Sequence, residues 1–291
     1  MCAIHVKNLK KYFGETRAVD GISFEIKEGE IFGYLGPNGA GKTTTIRCMM
    51  DFLRPDEGMI EILGLDAQTQ SARLKQEIGF LSEEDNLYQD WTGQEHINLI
   101  KRIRGGKTCE SELITKLDFD PNKKVKTLSS GNKQKLGLIL ALMHQPKVLI
   151  LDEPTKGLDP LLQHTVHEIL QTEVKERNTS IFMSSHNLSE VEKTCDRVCV
   201  LKAGKVVAIE SISNIKKKKL YTIYIYFDGE IPERKKLATL GVEIIKELSN
   251  GLVLSVRGEI KPVLAKLSKL NLKDLEITHA SLEEVFMEFY K

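Results

Sequence analysis

The sequence contains few cysteines, and their arrangement excludes two common uses of that residue. There are five of them, an odd number, and none stands in a C-x-x-C pair. Cys195 and Cys199 are close together, but no second pair is available to complete a zinc site with them. We therefore expect reduced thiols in a cytosolic protein, without a disulfide framework or a zinc centre.

The sequence also lacks long hydrophobic runs and an excess of charge of either sign. No apolar stretch approaches the roughly 18 residues that a membrane-spanning helix needs, and the N-terminus has no signal-peptide pattern. Lysine plus arginine number 42 and aspartate plus glutamate 41, so no global field attracts nucleic acid or acidic lipid. Any role at a membrane is therefore expected to come through a partner chain. The length of 291 residues allows one large domain or two of ordinary size.

A glycine-rich loop stands between a strand pattern, Ile31–Leu35, and a helical pattern that runs to Met50. The loop fits the phosphate-binding pattern G-x-x-x-x-G-K-T and comprises Gly36, Pro37, Asn38, Gly39, Ala40, Gly41, Lys42, Thr43 and Thr44. Its glycines let backbone N–H groups converge on an anion, and the start of the helix adds partial positive charge. Lys42 then supplies a mobile charge for the terminal phosphates, and the Thr43 hydroxyl supplies a ligand for Mg²⁺.

Two adjacent acids follow the apolar run Val148–Leu151, which is typical of a fully buried parallel strand. Carboxylates at such a strand end are costly unless a cation or a partner is present. In a P-loop protein the first acid, Asp152, is expected to hold Mg²⁺ through water. The second acid, Glu153, is expected to orient or deprotonate the attacking water.

Other side chains stand at informative places, but residue patterns alone leave their roles open. His186 follows a strand pattern at 179–184, and a functional and a structural role are about equally supported. Tyr12 and Phe13 precede the loop, where an aromatic ring either stacks on a nucleobase or is an ordinary strand residue. His164 and His167 lie one helical turn apart without a third ligand, so both are expected at the surface. Ser189 is expected to cap the helix that follows it.

Secondary-structure patterns divide the chain near a run of lysines, Lys216–Lys219. The expected domains are 1–214 and 215–291. Within the first, the stretch of about 84–144 is expected to be mostly helical, and one of its helices is expected to begin with a capping box at Thr92. In the second domain a strand–helix–strand–strand–helix–strand order predicts a small ferredoxin-like α+β fold with a hairpin at Asn250-Gly251. The helices expected there are 231–239, 260–269 and a final one at 281–290.

The chain from about residue 4 to 210 resembles the ATP-binding subunit of an ABC transporter. Besides the phosphate loop and the Asp152-Glu153 pair, Leu128-Ser129-Ser130-Gly131-Asn132-Lys133-Gln134 is similar to the family's LSGGQ signature. Gly157-Leu158-Asp159 matches its D-loop and His186 its switch histidine. The resemblance implies an α/β P-loop NTPase with a RecA-like core, an antiparallel β subdomain and a helical insertion. It also favours Phe13 over Tyr12 as the base-stacking aromatic residue.

Three positions depart from the family's pattern. Glu83 stands where the family usually has a glutamine, and its charge puts a simple transfer of that residue's role in doubt. Ser130 replaces the first signature glycine, and Asn132 replaces the signature glutamine. Similar variants occur in the drug- and sodium-export branch, and Ala280–Phe286 resembles the tail of that branch.

The resemblance implies an ATPase that uses ATP and Mg²⁺ and works as a pair of chains. Its catalytic residues would be Glu153, His186 and Lys42. Mg²⁺ would be held by Thr43, Asp152 and Glu83. ATP would be bound by the phosphate loop and Phe13, and by the segments that contain Ser129, Ser130, Gly131, Asn132 and Asp159.

The same resemblance implies partners and a location. A second ATP-binding subunit, expected to be an identical chain arranged head to tail, would close each nucleotide site. Separate membrane-spanning permease subunits would hold the pair at the inner face of the cell membrane, and an export function is expected. No nucleic-acid partner is expected. The alternative is a soluble ABC ATPase that acts on ribosomes or DNA, but such proteins commonly join two ATPase halves or insert long coiled coils, which this sequence lacks.

Overall fold

The chain divides into two compact units, Met1–Glu210 and Ser211–Lys291. The structure is a computed structural model, and it describes residues 2–84, 86–106, 108–217, 220–229 and 242–279. The boundary expected between residues 214 and 215 falls inside a helix, Ile212–Lys217, that belongs to the second unit. Each unit has a hydrophobic cluster of its own.

The first unit combines strands and helices throughout its length. Its strands are β1 (Cys2–Phe13), β2 (Thr16–Lys27), β3 (Ile31–Leu35), β4 (Glu57–Ile62), β5 (Leu65–Asp66), β6 (Ile78–Leu81), β7 (Val148–Asp152), β8 (Ser180–Ser185), β9 (Arg197–Lys202) and β10 (Lys205–Ser211). Its helices are α1 (Lys42–Met49), α2 (Ser71–Glu77), α3 (Gly93–Arg104), α4 (Glu110–Lys116), α5 (Ser130–Leu142), α6 (Pro160–Arg177) and α7 (Leu188–Thr194).

Two sheets organise these elements. A six-stranded sheet has the order β10-β9-β3-β8-β7-β6, and the pairs from β9 to β6 are parallel. A four-stranded sheet has the order β2-β1-β4-β5, with antiparallel pairs. In the parallel sheet β3, β8 and β7 are neighbours, so their carboxyl ends lie side by side at one edge. The polar residues that follow these three strands are therefore brought together.

An aromatic cluster joins the two sheets beneath that edge. Phe24 on β2 stacks on Phe32 of β3 with ring centroids 5.6 Å apart, and lies 6.0 Å from the ring of Phe182 on β8. Tyr34 and Phe182 are 4.9 Å apart, and both rings are fully buried. Aromatic contacts of this kind add about 0.5–1.5 kcal/mol each beyond the burial of apolar area. They fix β3 and β8 against one another just before the loops that follow them.

Of the two helix caps that the sequence predicts in the first unit, one is present and one is wrong. The capping box predicted at Thr92 is present, because the Thr92 hydroxyl accepts from Glu95 N–H and the Glu95 carboxylate accepts from Thr92 N–H. The cap predicted at Ser189 is wrong. Helix α7 begins earlier, and the Asn187 side chain accepts from the N–H groups of Ser189 and Glu190. Asn187 has the extended backbone that an N-cap requires, which the serine inside the first turn lacks.

The expectation that His164 and His167 are both surface residues is wrong for one of them. The side chain of His164 is 69% exposed, whereas that of His167 is only 12% exposed. His167 lies one turn before Leu170, at the border of the buried stripe of α6, and its ring faces Glu190. Helical spacing placed the two histidines on one side of α6, but only packing against α7 decided which ring is covered.

The second unit is built on a four-stranded antiparallel sheet. Its elements are α8 (Ile212–Lys217), β11 (Leu220–Phe227), β12 (Glu243–Leu248), β13 (Gly251–Arg257), α9 (Ile260–Leu267) and β14 (Leu272–His279). The strand order is β12-β13-β11-β14, and every neighbouring pair is antiparallel. The hairpin predicted at Asn250-Gly251 is present, with Leu248 opposite Gly251.

The core of this unit lies between the sheet and α9. Alternate residues of β11 and β13, among them Ile223 and Leu254, pack with Val263 and Leu267 of the helix. The helices expected at 231–239 and 281–290 lie outside the described residues, as does Ala280–Phe286. None of the helices that the structure describes combines the length and the apolar character that crossing a membrane requires.

Candidate active site

The phosphate loop connects β3 to α1 at the carboxyl edge of the parallel sheet. Gly41 has a φ of +103°, and a Cβ at this position would come within 2.3 Å of the carbonyl oxygen of Ala18, so only glycine fits. Pro37, Asn38 and Gly39 are exposed at the tip of the loop, whereas Ala40 is buried below it. The loop therefore holds its backbone open to solvent directly before the N-terminus of α1, where an anion is stabilised.

Lys42 is the first residue of α1, and its side chain is only 8% exposed. Its ammonium group donates a hydrogen bond of 2.7 Å to the carbonyl oxygen of Gly36 and lies 3.4 Å from Oε1 of Glu153. A nearly buried cation thus stands between the loop and the end of β7. Its flexible stem lets the charge reach an oxyanion bound by the loop.

Asp152 and Thr43 form a compact set of oxygen ligands. The hydroxyl of Thr43 donates to Oδ2 of Asp152 at 3.0 Å, and the hydroxyl of Ser184 donates to Oδ1. Asp152 is almost fully buried, and this burial raises the pKa of its carboxyl group above the usual value, against the effect of the two hydroxyl donors. Hydroxyl and carboxylate oxygens are the ligands that Mg²⁺ prefers, so these residues fit that ion.

Glu153 has a backbone that only surrounding contacts hold in place. Its φ is +52°, an uncommon left-handed conformation for a residue with a side chain. Its N–H donates to the Ser184 hydroxyl at 3.0 Å, and the side-chain amide of Gln134 donates to its carbonyl oxygen at 3.0 Å. These bonds turn the Glu153 carboxylate away from the line of β7 and toward the space between Lys42 and the end of β8.

The His186 ring meets the Glu153 carboxylate there. Nδ1 of His186 lies 2.8 Å from Oε2 of Glu153, and the histidine side chain is 59% exposed while that of the glutamate is 7% exposed. Two residues far apart in sequence are therefore paired because β7 and β8 are neighbours. One oxygen of the Glu153 carboxylate can therefore accept a proton while the other stays in contact with the imidazole.

Glu83 lies near this group, and a basic residue accompanies it. Its Oε1 is 2.7 Å from the ammonium group of Lys156, which follows Glu153 in the chain. This contact is the main reason that the pKa of the Glu83 carboxyl lies below its usual value, and Lys42 and the Thr43 hydroxyl add to the effect. The negative charge introduced at this position is thus offset by a positive charge within the same chain.

Ser129 and Asp159, two further sequence-predicted residues, are both engaged as helix caps. The hydroxyl of Ser129 caps α5 by accepting from the N–H of Asn132, and it also accepts from the Asn132 amide. Asp159 caps α6 by accepting from two N–H groups, those of Leu161 and Leu162. Among the described residues, none of these hydrogen bonds reaches the phosphate loop. The structure therefore does not bring Ser129, Asn132 or Asp159 to the Lys42–Glu153 group of their own chain.

The two aromatic residues before the loop differ in their contacts. The Tyr12 hydroxyl donates to Asp20 at 2.8 Å, so this residue is engaged within its own sheet. Phe13 ends β1 with 49% of its surface exposed, and Lys11 lies 5.7 Å from the ring centroid. A free aromatic face is what base stacking needs, so the geometry favours Phe13 for that task.

Sequence reasoning missed three residues that contact the expected ones, namely Gln134, Lys156 and Ser184. Each acts on a residue from another element, as Ser184 does on Asp152 and Glu153 across two neighbouring strands. A cation such as Lys156 could have been expected from the sequence, because Glu83 places a negative charge where the family usually has a neutral glutamine. The others gave no such signal, since a lone polar residue in a sequence does not disclose its partner.

Comparison with known protein families agrees with this geometry. The family model of the ABC transporter matches residues 19–156. The ABC transporter ATP-binding protein YhcH of Bacillus subtilis is 35% identical over 98% of this chain and 95% of its own length. The Nod factor export ATP-binding protein I of Paraburkholderia xenovorans is 34% identical over 98% and 96%, and the bacitracin transport ATP-binding protein BcrA of Bacillus licheniformis is 35% identical over 81% and 78%.

Solved structures lead to the same family. An ATP-binding subunit of an ABC transporter superposes with a TM-score of 0.68 at 27% identity, over 74% of this chain and 92% of that one. A dimeric bacterial ABC transporter cassette gives a TM-score of 0.66 at 25% identity, over 72% and 98%. The same cassette in a post-hydrolysis state with ADP and phosphate gives 0.65 at 25%, over 72% and 98%. The predicted P-loop NTPase fold, with its mixed α/β layers, is therefore confirmed, and the chain belongs to the family of ATP-hydrolysing, ATP-binding subunits of ABC transporters.

Proposed function

We propose that this ATP-binding subunit powers the export of a substrate through separate membrane-spanning chains. The observation that carries the proposal is the contact of the buried Glu153 carboxylate with Lys42 and with the half-exposed His186 at the phosphate loop, which suits ATP hydrolysis. The direction of transport is supported by the relatives named for bacitracin transport and Nod factor export, which align with this chain over most of its length. Family membership favours transport over the alternative of a soluble ATPase that acts on ribosomes or DNA.

In the proposed binding step, the loop from Gly36 to Thr44 encloses the phosphates of ATP. Backbone N–H groups and the N-terminus of α1 contact the phosphate oxygens, and Lys42 exchanges its bond to the Gly36 carbonyl for contacts with the β- and γ-phosphates. Phe13 stacks on the adenine ring. Thr43, Asp152 and Glu83 would hold Mg²⁺. The bound ion would neutralise phosphate charge during the reaction.

In the proposed chemical step, Glu153 acts as general base. Its carboxylate takes a proton from the attacking water while the water oxygen forms a bond to the γ-phosphorus. The bond from that phosphorus to the β–γ bridging oxygen breaks, and ADP leaves with the electron pair. His186 orients the Glu153 carboxylate through the 2.8 Å contact, and Lys42 stabilises the charge that develops on the transferred group.

The second half of each site is proposed to come from a second copy of this chain. Ser129, Ser130, Gly131 and Asn132 occupy the cap and first turn of α5, and the cap residue Ser129 is exposed. Arranged head to tail, this helix N-terminus would face the γ-phosphate bound by the partner's loop, and Asp159 would lie beside it. Two ATP molecules would then bridge an isologous homodimer, and hydrolysis would open it.

The second unit is proposed to have a ferredoxin-like fold and to form a domain separate from the ATP-binding unit. Its strand order, β12-β13-β11-β14, is the order that this fold requires, and α9 connects β13 to β14 as the fold's second helix does. We place the protein in the cytoplasm, attached to the inner face of the cell membrane through its permease partner.

The surface between Glu83 and Trp91 is proposed to contact that partner. Tyr88 is 60% exposed and its ring lies 4.7 Å from that of Trp91, so two aromatic rings are presented together a few residues after Glu83 in the chain. A photo-crosslinking residue in place of Tyr88 is expected to capture a chain with several membrane-spanning helices, identified by mass spectrometry of the membrane fraction. The same residue in place of Glu176, which is exposed on α6, serves as the control and should not capture it. Equal labelling from both positions, or none from Tyr88, would contradict the proposed contact.

The Glu83–Lys156 pair yields a further prediction within this function. Lys156→Met is expected to raise the KM for Mg²⁺-ATP by about threefold to tenfold, because the Glu83 charge then repels the phosphates; solvent exposure of both side chains keeps the effect modest. The double variant Glu83→Gln with Lys156→Met should return to within about twofold of Glu83→Gln alone. Steady-state ATPase assays measure both effects.

Lys147→Met is the matched control for this cycle, because Lys147 forms a similar exposed pair with Glu77 at 3.2 Å, outside the site. Its KM for Mg²⁺-ATP should equal that of the parent chain. Strictly additive effects of the Glu83 and Lys156 changes would show that the two charges do not compensate one another.

A further inference from the structure

Glu190 is a buried carboxylate that the proposed reaction does not use. It lies in the first turn of α7, and its side chain is only 6% exposed. Both of its oxygens accept short hydrogen bonds from hydroxyl groups. Oε1 accepts from Thr155 at 2.6 Å, and Oε2 accepts from Ser185 at 2.6 Å. Burying a carboxylate costs free energy unless such donors satisfy it, so the arrangement is specific.

The two donors belong to the segments that carry the reacting pair. Thr155 lies two residues after Glu153, and Ser185 immediately precedes His186. A third segment closes the group, because Nε2 of His167 on α6 lies 3.7 Å from Oε1 of Glu190. One side chain on α7 therefore joins the loop after β7 to the end of β8, with α6 against its remaining side.

The Glu153 backbone needs such a connection. A left-handed φ at a residue with a side chain costs on the order of 1 kcal/mol or more, and it persists only where neighbouring contacts determine it. Ser184 and Gln134 hold the N–H and the carbonyl of Glu153 itself. The bonds from Thr155 and Ser185 to Glu190 tie the turn after Glu153 to the end of β8, directly before His186.

We propose that Glu190 is a positioning residue for ATP hydrolysis, which fixes the spacing of Glu153 and His186 by binding Thr155 and Ser185 at once. The proposal rests on the proposed roles of Glu153 and His186. A carboxylate suits the task because it only accepts, and it faces two hydroxyl donors. A glutamine would present an N–H₂ group to one of them, which forces that hydroxyl to reverse its role.

The expected result for Glu190→Gln is a fall in kcat of about tenfold with a KM for Mg²⁺-ATP within about twofold of the parent value. Small displacements of reacting groups lower the chemical rate steeply, whereas the hydrogen bonds that Glu190 accepts come from Thr155 and Ser185, and that of Lys42 goes to Gly36 in the nucleotide-binding loop. Thr155→Val, which keeps the shape but removes the hydroxyl, should lower kcat similarly, and Thr155→Ser should restore it. The double variant should be little worse than either single one, because both remove the same bond.

Glu173→Gln is the matched control. Glu173 is also a buried acid, only 3% exposed, but it pairs with Arg177 at the far end of α6. The Glu173→Gln substitution should lower the melting temperature without changing kcat. If Glu190→Gln and Thr155→Val lower the melting temperature but leave kcat at the parent value, Glu190 has only a structural role and the proposal is wrong. A rise in KM with unchanged kcat overturns it equally.

Two further measurements separate a folding defect from a loss of activity, and a failure of the Glu190 role from a failure of the Glu153 role. If Glu190→Gln does not fold, the Thr155→Val and Thr155→Ser pair at parental melting temperature decides the matter by the same kcat criterion. If Glu153→Gln hydrolyses ATP at the parent rate, the proposed role of Glu153 fails, whatever Glu190 does. A slow Glu153→Gln together with fully active Glu190→Gln and Thr155→Val variants overturns the positioning role alone.

Discussion

Glu153→Gln is expected to lower steady-state ATP turnover by about 100-fold or more while ATP binding is retained. Glutamine has the shape of glutamate but does not accept the proton of the attacking water, and general-base catalysis contributes about 10²–10⁴-fold. The loop and Lys42, which bind the phosphates in the proposed mechanism, are unchanged. Because ATP then persists in the site, Mg²⁺-ATP should hold two chains together, and size-exclusion chromatography with light scattering should record a dimer.

The matched control for this substitution is Glu84→Gln. Glu84 is an exposed acid that pairs with Arg47 close to Glu83, and its side chain is 69% exposed. Its turnover should equal that of the parent chain, and it should not be trapped as a dimer. Parent-rate hydrolysis by Glu153→Gln would show that another group acts as the base.

Lys42→Ala should weaken the binding of Mg²⁺-ATP by about tenfold to 100-fold and reduce turnover by at least as much. A hydrogen bond to a charged group contributes about 1.5–3 kcal/mol, which corresponds to this range of affinity. The same ammonium group is proposed to stabilise charge in the transition state, so kcat should fall in addition. Titration with a fluorescent ATP analogue and phosphate-release assays measure the two effects separately.

Lys116→Ala provides the comparison, since Lys116 pairs with Glu112 on α4, outside the site. Affinity and turnover should both stay at the parent values. A Lys42→Ala variant that binds and hydrolyses ATP normally would remove the phosphate loop from the proposed mechanism. Retained affinity with lost turnover would instead assign Lys42 to the chemical step alone.

Much of the fold could be predicted because local patterns agree with the final structure. The apolar run before Asp152 is a fully buried parallel strand, and the Thr92 capping box begins a helix as expected. The failures were local ambiguities that packing resolved. Ser189 and Asn187 are both acceptable cap residues, and only the backbone conformation at Asn187 selects it.

The candidate site also has one part that the sequence predicts and another that only the tertiary structure reveals. The loop from Gly36 to Thr44 is a continuous segment, so its residue types and spacing alone indicate a phosphate site. The partners of Glu153 come from distant segments, and their identities follow from β3, β8 and β7 lying side by side. No local pattern encodes that order of strands.

The sequence by itself determined the nucleotide chemistry, because a loop that binds phosphates needs its glycines, lysine and threonine in immediate succession. Only the tertiary structure decided how the acids are held: His186 at Oε2 of Glu153, Lys156 at Glu83, and Glu190 between Thr155 and Ser185. The physical reason is that a buried charge must find a donor or a cation in space, and nearness in space is set by strand pairing and helix packing.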